Sequence, residues 1–211
     1  MFMELIQQGG IVMVLIMLCG IFALGTYIER SLHLHRARIR YEDFLKGIMN
    51  NVGRGNITEA ITLCEETPGP VAYLVKTAIL HREDAKEAIR SAVADASRAE
   101  ISRMERRLVV IATAGQIAPL LGLLGTVLGM LQAMLPLEAE APLIHSGDLL
   151  GGLRMALVTT AAGLVVAVPC YVAFNLLVIR IDRIVLDMER AASEMIAFLK
   201  GGFQDDAPAR R

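Results

Sequence analysis

Acidic and basic residues are missing from three long stretches of the chain: none occurs between Glu4 and Glu29, between Arg107 and Glu138, or between Arg154 and Arg180. A helix crosses the hydrocarbon of a bilayer with about 20 apolar residues. The gaps therefore hold three spans, read as Gly10 to Ile28, Leu108 to Leu135 and Leu149 to Ile179. Cysteine is scarce, and the three present, Cys19, Cys64 and Cys170, support no disulfide framework because two fall in spans and one in a hydrophilic loop. They read as small apolar fillers. No nucleotide-binding loop, HExxH or CxxC motif or nucleophile–base pairing occurs, which excludes the enzyme classes those patterns mark. His33 and His35 have no further ligand at metal-site spacing, so they read as solvated interfacial side chains, and no metal or cofactor is expected.

What is present is a 211-residue chain that is 55% hydrophobic with a net charge of -1 and a mean hydropathy of +0.51. Its charge is segregated between spans and flanks. The first span does not read as a secretory signal: residues 1–10 carry Glu4 and no Lys or Arg, and the basic residues come after the span, in ERSLHLHRARIR. Bases close to the spans set orientation. Arg30, Arg36, Arg38 and Arg40 follow span one, Arg98, Arg103, Arg106 and Arg107 precede span two, and Arg180, Arg183 and Arg190 follow span three. The connection MLPLEAEAPLIHSGD has Glu138, Glu140 and Asp148 and no Lys or Arg. The expected topology has the N-terminus outside and the C-terminus in the cytoplasm.

The expected fold is all-α, a multi-pass helical membrane protein with three transmembrane helices, long cytosolic helix extensions and a small helical cytosolic subdomain. Residues 1–30 make the N-terminal end and first span, and 31–82 the subdomain. Within it, Tyr41 to Val52 is a helix ending at Gly53 to Gly55, Asn56 with Glu59 has the form of a capping box opening a helix to about Glu66, and TPGP breaks the chain so that Pro70 starts a third helix. Residues 83–135 read as one long helix carrying the second span, 136–148 as the outer connection, 149–200 as the third span with its extension, and 201–211 as a disordered tail. Beyond the third span Ile181, Ile184, Val185, Met188, Ala192, Met195, Ile196 and Leu199 keep one face apolar. Self-association would bury that stripe; packing on residues 41–82 is the alternative.

Polar groups inside spans are expensive and mark function. Span two has Thr113, Gln116, Thr126 and Gln132; span three has Thr159, Thr160 and Asn175. Pro119, Gly122, Thr126, Gly129 and Ala133 succeed one another at helical steps, with Gly125 beside them, and Ala156, Thr160, Gly163 and Ala167 do the same on span three. Either line alone serves close helix packing. Two matching lines could instead bring two hydroxyls to a narrow interior, where each donates and accepts a proton. No Asp, Glu, Lys or His lies within the central part of a span, so a partner would have to supply the protonatable group.

The stretches GGIVMVLIMLCGIFALGTYIERSLHLHR, CEETPGP, APLLGLLGTVLGM and ALVTTAAGLVVAVPCYVAFN resemble, in order, the first span, cytosolic loop, second span and third span of the MotA/TolQ/ExbB proton channel family. The chain is most similar to a short ExbB-type protein; MotA-type proteins are longer, with a fourth span. The resemblance implies a homo-pentamer in the bacterial inner membrane, enclosing two single-span helices of an ExbD/TolR-like partner whose membrane aspartate takes up protons. It implies a TonB-like transducer and no nucleic-acid partner. The family's pore threonines fall on Thr126 and Thr160, with Thr159, Asn175 and Met155 as secondary positions. Met155 departs from the family's frequent glutamate. Alternatives are a TolQ-like or motility motor subunit with the same chemistry, or a non-conducting membrane scaffold.

Overall fold

The computed structural model describes residues 2–37, 41–139 and 146–201. The tail beyond Gly201 and residues 140–145 of the outer connection lie outside the described residues. Among the described residues all regular structure is α-helical: α1 Phe2–Ala37, α2 Tyr41–Gly53, α3 Ile57–Glu66, α4 Pro70–Leu80, α5 Lys86–Glu105, α6 Leu108–Ala139 and α7 Ser146–Gly201. Three helical stretches are long and apolar enough to cross a membrane: Gly9–Leu32, Lys86–Leu135 and Leu150–Gly201.

Local chemistry explains most helix ends. Gly10 breaks α1 internally with φ 57° and ψ -151°, a conformation closed to residues with a Cβ. Gly55, at φ 81°, turns the chain after α2. Pro70 occupies the first turn of α4, where its missing N–H has no helical partner to lose. The expected capping box at α3 does not form. Asn56 takes φ -81° and ψ 62° and makes no side-chain cap; its Nδ2 instead donates to Glu59 Oε2 at 3.1 Å. A capping box requires the N-cap residue in the extended region, with its side-chain oxygen turned toward the third N–H of the helix. Where the sequence suggests one helix over 83–135, a turn at Arg106 and Arg107 marks off α5 from α6 within the helical stretch Lys86–Leu135. Arg106 itself keeps αR angles.

The chain forms two compact units, Met1–Arg30 with Arg107–Leu177, and Ser31–Arg106 with Val178–Arg211. The second unit has a conventional core. Leu45, Ile48, Ala60, Cys64, Leu74, Val75, Ile79, Ile89 and Val93 are buried there, together with Ile181, Ile184, Met188, Ala192, Met195 and Ile196 of α7. The apolar stripe of α7 is thus already covered within one chain, and it gives no reason of its own for self-association. Ion pairs Lys76–Glu65 at 2.7 Å and Arg98–Asp95 at 2.8 Å decorate the exterior, where such pairs contribute about 0–1 kcal/mol.

The first unit is built differently. Its buried residues are mostly small: Ala114, Ala118, Ala156, Thr159, Ala167 and Cys170, alongside Val12, Ile16 and Ile111. Large side chains, among them Leu120, Leu123, Val127, Leu157, Leu164 and Val168, point outward. That inversion suits a membrane, where lipid solvates leucine as well as a protein core does and small residues let helix backbones approach.

Candidate functional site

The closest approach in the first unit is between α6 and α7. A Cβ added at Gly115 would lie 3.3 Å from Cys170 Cβ, at Gly122 3.1 Å from Thr160 Cα, at Gly125 2.5 Å from Thr159 Cβ, and at Gly129 2.8 Å from Ala156 N. As α6 advances, its partner on α7 recedes, so the two helices run antiparallel along one seam. On α6 the seam line is Gly115, Ala118, Gly122, Gly125 and Gly129; on α7 it is Gly152, Ala156, Thr159, Gly163 and Cys170. All are small, and several contacts are backbone to backbone. A Cβ at Gly163 would come 2.6 Å from Ala118 O.

This seam shifts the threonines relative to the lines read from sequence. Thr159, not Thr160, stands in the α7 line; it is fully buried, and its Oγ1 donates within its own helix, to Met155 O at 2.8 Å and Ala156 O at 3.1 Å. Thr160 is half-buried at the seam's edge and donates across it to Gly122 O at 3.3 Å. Thr126 is likewise half-buried, one residue beyond Gly125, and donates to Leu123 O at 2.6 Å. Pro119 is half-buried beside Ala118. Met155 and Asn175 belong to neither seam line, and Asn175 is exposed.

Helix geometry decides which edge each residue occupies. One residue rotates a side chain by roughly 100°. Thr126 follows Gly125 on α6, and Thr160 follows Thr159 on α7. In an antiparallel pair, one step forward on each right-handed helix turns both side chains to the same edge of the seam. Met155 precedes Ala156 and so lies at the opposite edge of α7. That opposite edge belongs to α1: a Cβ at Gly10 would lie 3.4 Å from Met155 Cε, one at Gly9 3.4 Å from Thr159 Cγ2, and one at Gly20 3.3 Å from Val166 Cγ2.

Chemically, the two edges differ. The grooves beside α1 are lined almost wholly by apolar groups, such as Gly20, Ala23, Val165, Val166 and Leu176 in one of about 650 Å³. The other edge offers two hydroxyls. Each donor is engaged with a backbone carbonyl, which leaves the oxygen lone pairs to accept from a water or a partner. Thr113, exposed on α6, also donates to its own helix, at Val109 O, 2.7 Å. Among the described residues no group of three or more His, Cys, Asp or Glu is placed to hold a metal. Sequence reasoning ranked Thr159 only as a secondary position; the continuous run of small residues at 115, 118, 122, 125 and 129 was the available signal for the true seam.

Comparison with known proteins adds an independent observation. The family model described as the MotA/TolQ/ExbB proton channel family matches residues 66–190. A putative biopolymer transport protein ExbB homolog from Methanothermobacter thermautotrophicus is 26% identical over 181 residues, covering 85% of this chain and 64% of that protein. The biopolymer transport protein ExbB of Aquifex aeolicus is 37% identical over 99 residues, 46% of this chain and 66% of its own length. The Tol-Pal system protein TolQ of Haemophilus influenzae is 33% identical over 102 residues, covering 47% and 43% respectively. The matches thus span somewhat under two thirds of the first two relatives.

Proposed function

The chain belongs to the MotA/TolQ/ExbB proton channel family, and from that premise we propose that it is the multi-span channel subunit of an inner-membrane complex that converts proton-motive force into mechanical work. In this reading Thr126 and Thr160 line the proton path. The observation that carries it is their common edge: both hydroxyls stand on the side of the α6–α7 seam away from α1, in spans whose central parts hold no Asp, Glu, Lys or His. A proton relay in a membrane needs a titratable group at depth. An ExbD/TolR-like partner with one span and a membrane aspartate supplies it, a dimer of that partner sitting within a pentamer of this chain. The output is the energising of outer-membrane transport through a TonB-like transducer, with the N-terminus periplasmic and the C-terminus cytoplasmic. The names of the ExbB relatives support this output over the TolQ-like one.

The test is proton flux in vesicles that hold the chain with the one-span chain copurifying from its membrane. Thr126→Val and Thr160→Val each keep shape and remove the hydroxyl, and each is expected to abolish flux with assembly intact. Full flux in both variants refutes the path, and a non-conducting scaffold would give no threonine-dependent flux at all. Five chains of 22.9 kDa come to about 115 kDa, so a uniform dimer or trimer by native mass measurement refutes the pentamer.

A further inference from the structure

We infer that Thr159 is a positioning residue: its side chain fills the place of the Cβ that Gly125 lacks, and this interlock fixes the rotation and register that bring Thr126 and Thr160 to one edge. The inference rests on the proton-path reading for its functional consequence, but its geometry stands by itself. Thr159 is the only fully buried hydroxyl residue among the described residues. A Cβ at Gly125 would meet Thr159 Oγ1 most closely, then its Cβ at 2.5 Å and its Cγ2 at 2.9 Å; the other glycines opposed by α7 side chains stand further off, Gly115 at 3.3 Å from Cys170 Cβ and Gly20 at 3.3 Å from Val166 Cγ2. Gly122, Gly129 and Gly163 are opposed mainly by backbone or by small residues, which resist approach without selecting a rotation.

The hydroxyl has a second task. Its bonds to Met155 O and Ala156 O hold the side chain in one rotamer, so that the branched group enters the Gly125 gap as a rigid knob. A threonine is well suited, since its β-branch stiffens χ1 and its Oγ1 can bond a carbonyl one turn back. Once residues 125 and 159 are matched, the next residue on each helix is turned by roughly 100° to the same side and displaced along the axis by about 1.5 Å. The two path threonines then lie about 3 Å apart along the seam. Slipping one helix by a single residue would carry one hydroxyl toward the seam or lipid and leave the other alone.

The experiment separates knob from hydroxyl and geometry from flux. Thr159→Ser keeps the bond and is expected to retain flux within twofold; Thr159→Val keeps the branch but puts a methyl where the bonded oxygen sits, and is expected to lose flux at least tenfold. Gly125→Ala is expected to lose flux at least tenfold, and Gly125→Ala with Thr159→Gly, which moves the bulk to the other helix, to recover at least fivefold over Gly125→Ala alone. Geometry is read apart from flux by the distance between spin labels at positions 126 and 160, in a chain whose three cysteines are replaced by alanine. Gly125→Ala is expected to shift that distance, and the double variant to restore it. An unchanged distance and flux in Gly125→Ala, or equal flux in Thr159→Ser and Thr159→Val, overturns the interlock. A shifted distance together with flux that ignores Thr126→Val and Thr160→Val leaves the interlock standing and removes the proton-path reading instead.

Discussion

Substitution of Gly163 by alanine tests the seam where it has no room to adjust. The new methyl would lie 2.6 Å from Ala118 O, 3.2 Å from Gly122 Cα and 3.4 Å from Ala118 C, all of them backbone atoms that move only if a helix moves. A carbon meets a carbonyl oxygen comfortably at about 3.3–3.6 Å, so α6 and α7 must part by about 0.7–1 Å. The Thr160 Oγ1 to Gly122 O bond, already 3.3 Å, then passes the range of a hydrogen bond. Overpacking of this kind costs about 1–3 kcal/mol, and an interhelical hydrogen bond in a membrane contributes about 0.6 kcal/mol. Against these stands the helix preference of alanine over glycine, about 1 kcal/mol. The net expectation is a loss of about 0.6–2.6 kcal/mol. It can be measured by titrating the purified chain with dodecyl sulfate in mixed micelles and following helicity. Gly25→Ala is the internal control, because nothing lies within 4 Å of the added carbon; only the propensity gain applies there. The steric argument fails if Gly163→Ala is as stable as the parent chain, or if Gly25→Ala loses as much.

Two further outcomes concern the second unit. Asn56→Ala is expected to cost less than about 0.5 kcal/mol in chemical denaturation, because Asn56 makes no cap; a loss near the ~1 kcal/mol typical of a removed N-cap would contradict the observed geometry. Burial pushes the Cys64 thiol up from its ordinary 9.0 to about 11, a rise that nearby Lys76 partly offsets and Glu65 reinforces. A raised thiol pKa favours the protonated, folded form below pH 9 and withdraws that stability as pH climbs from about 9 to about 11. Alkylation of Cys64 by a maleimide is therefore expected to stay slow at pH 8 and to accelerate only as pH nears that upper value; rapid labelling at pH 8 in the folded chain refutes it.

The spans were legible because lack of charge over so many residues has one common physical cause, the need to keep ions out of hydrocarbon. Pro70 was legible for a similar reason, since a fixed φ and a missing N–H act locally whatever surrounds them. Asn56 was not. Its residue type suits a cap, but the cap depends on a backbone conformation set by the turn at Gly55. The α7 stripe from Ile181 to Ile196 was legible as a buried face, but the choice between self-association and packing on residues 41–82 was not, because periodicity says that a face must be covered and nothing about what covers it. Thr159 and Thr160 show the limit most clearly. Both belong to helical lines of small residues, and only the antiparallel match of Gly125 to Thr159 determines which of them is enclosed and which lies at the edge.

That same match bears on the departure at residue 155, where proteins of the resembled pattern often have glutamate. Position 155 is five residues before Thr160, a rotation of about 140° on a helix, and its side chain meets α1 at Gly10. A carboxylate there would stand at the edge away from the two hydroxyls, facing α1 at Gly10. It could not hydrogen-bond Thr160 without turning α7 and undoing the contact of Thr159 with Gly125. A methionine at this place puts an uncharged side chain against α1 and leaves the opposite edge as it was. On these grounds Met155→Glu is expected to disturb the packing of α1 before it alters any threonine-dependent flux. Its stability in mixed micelles should fall while the flux per folded complex stays within about twofold of the parent, and a gain or loss of flux without a change in stability would place residue 155 on the proton path after all.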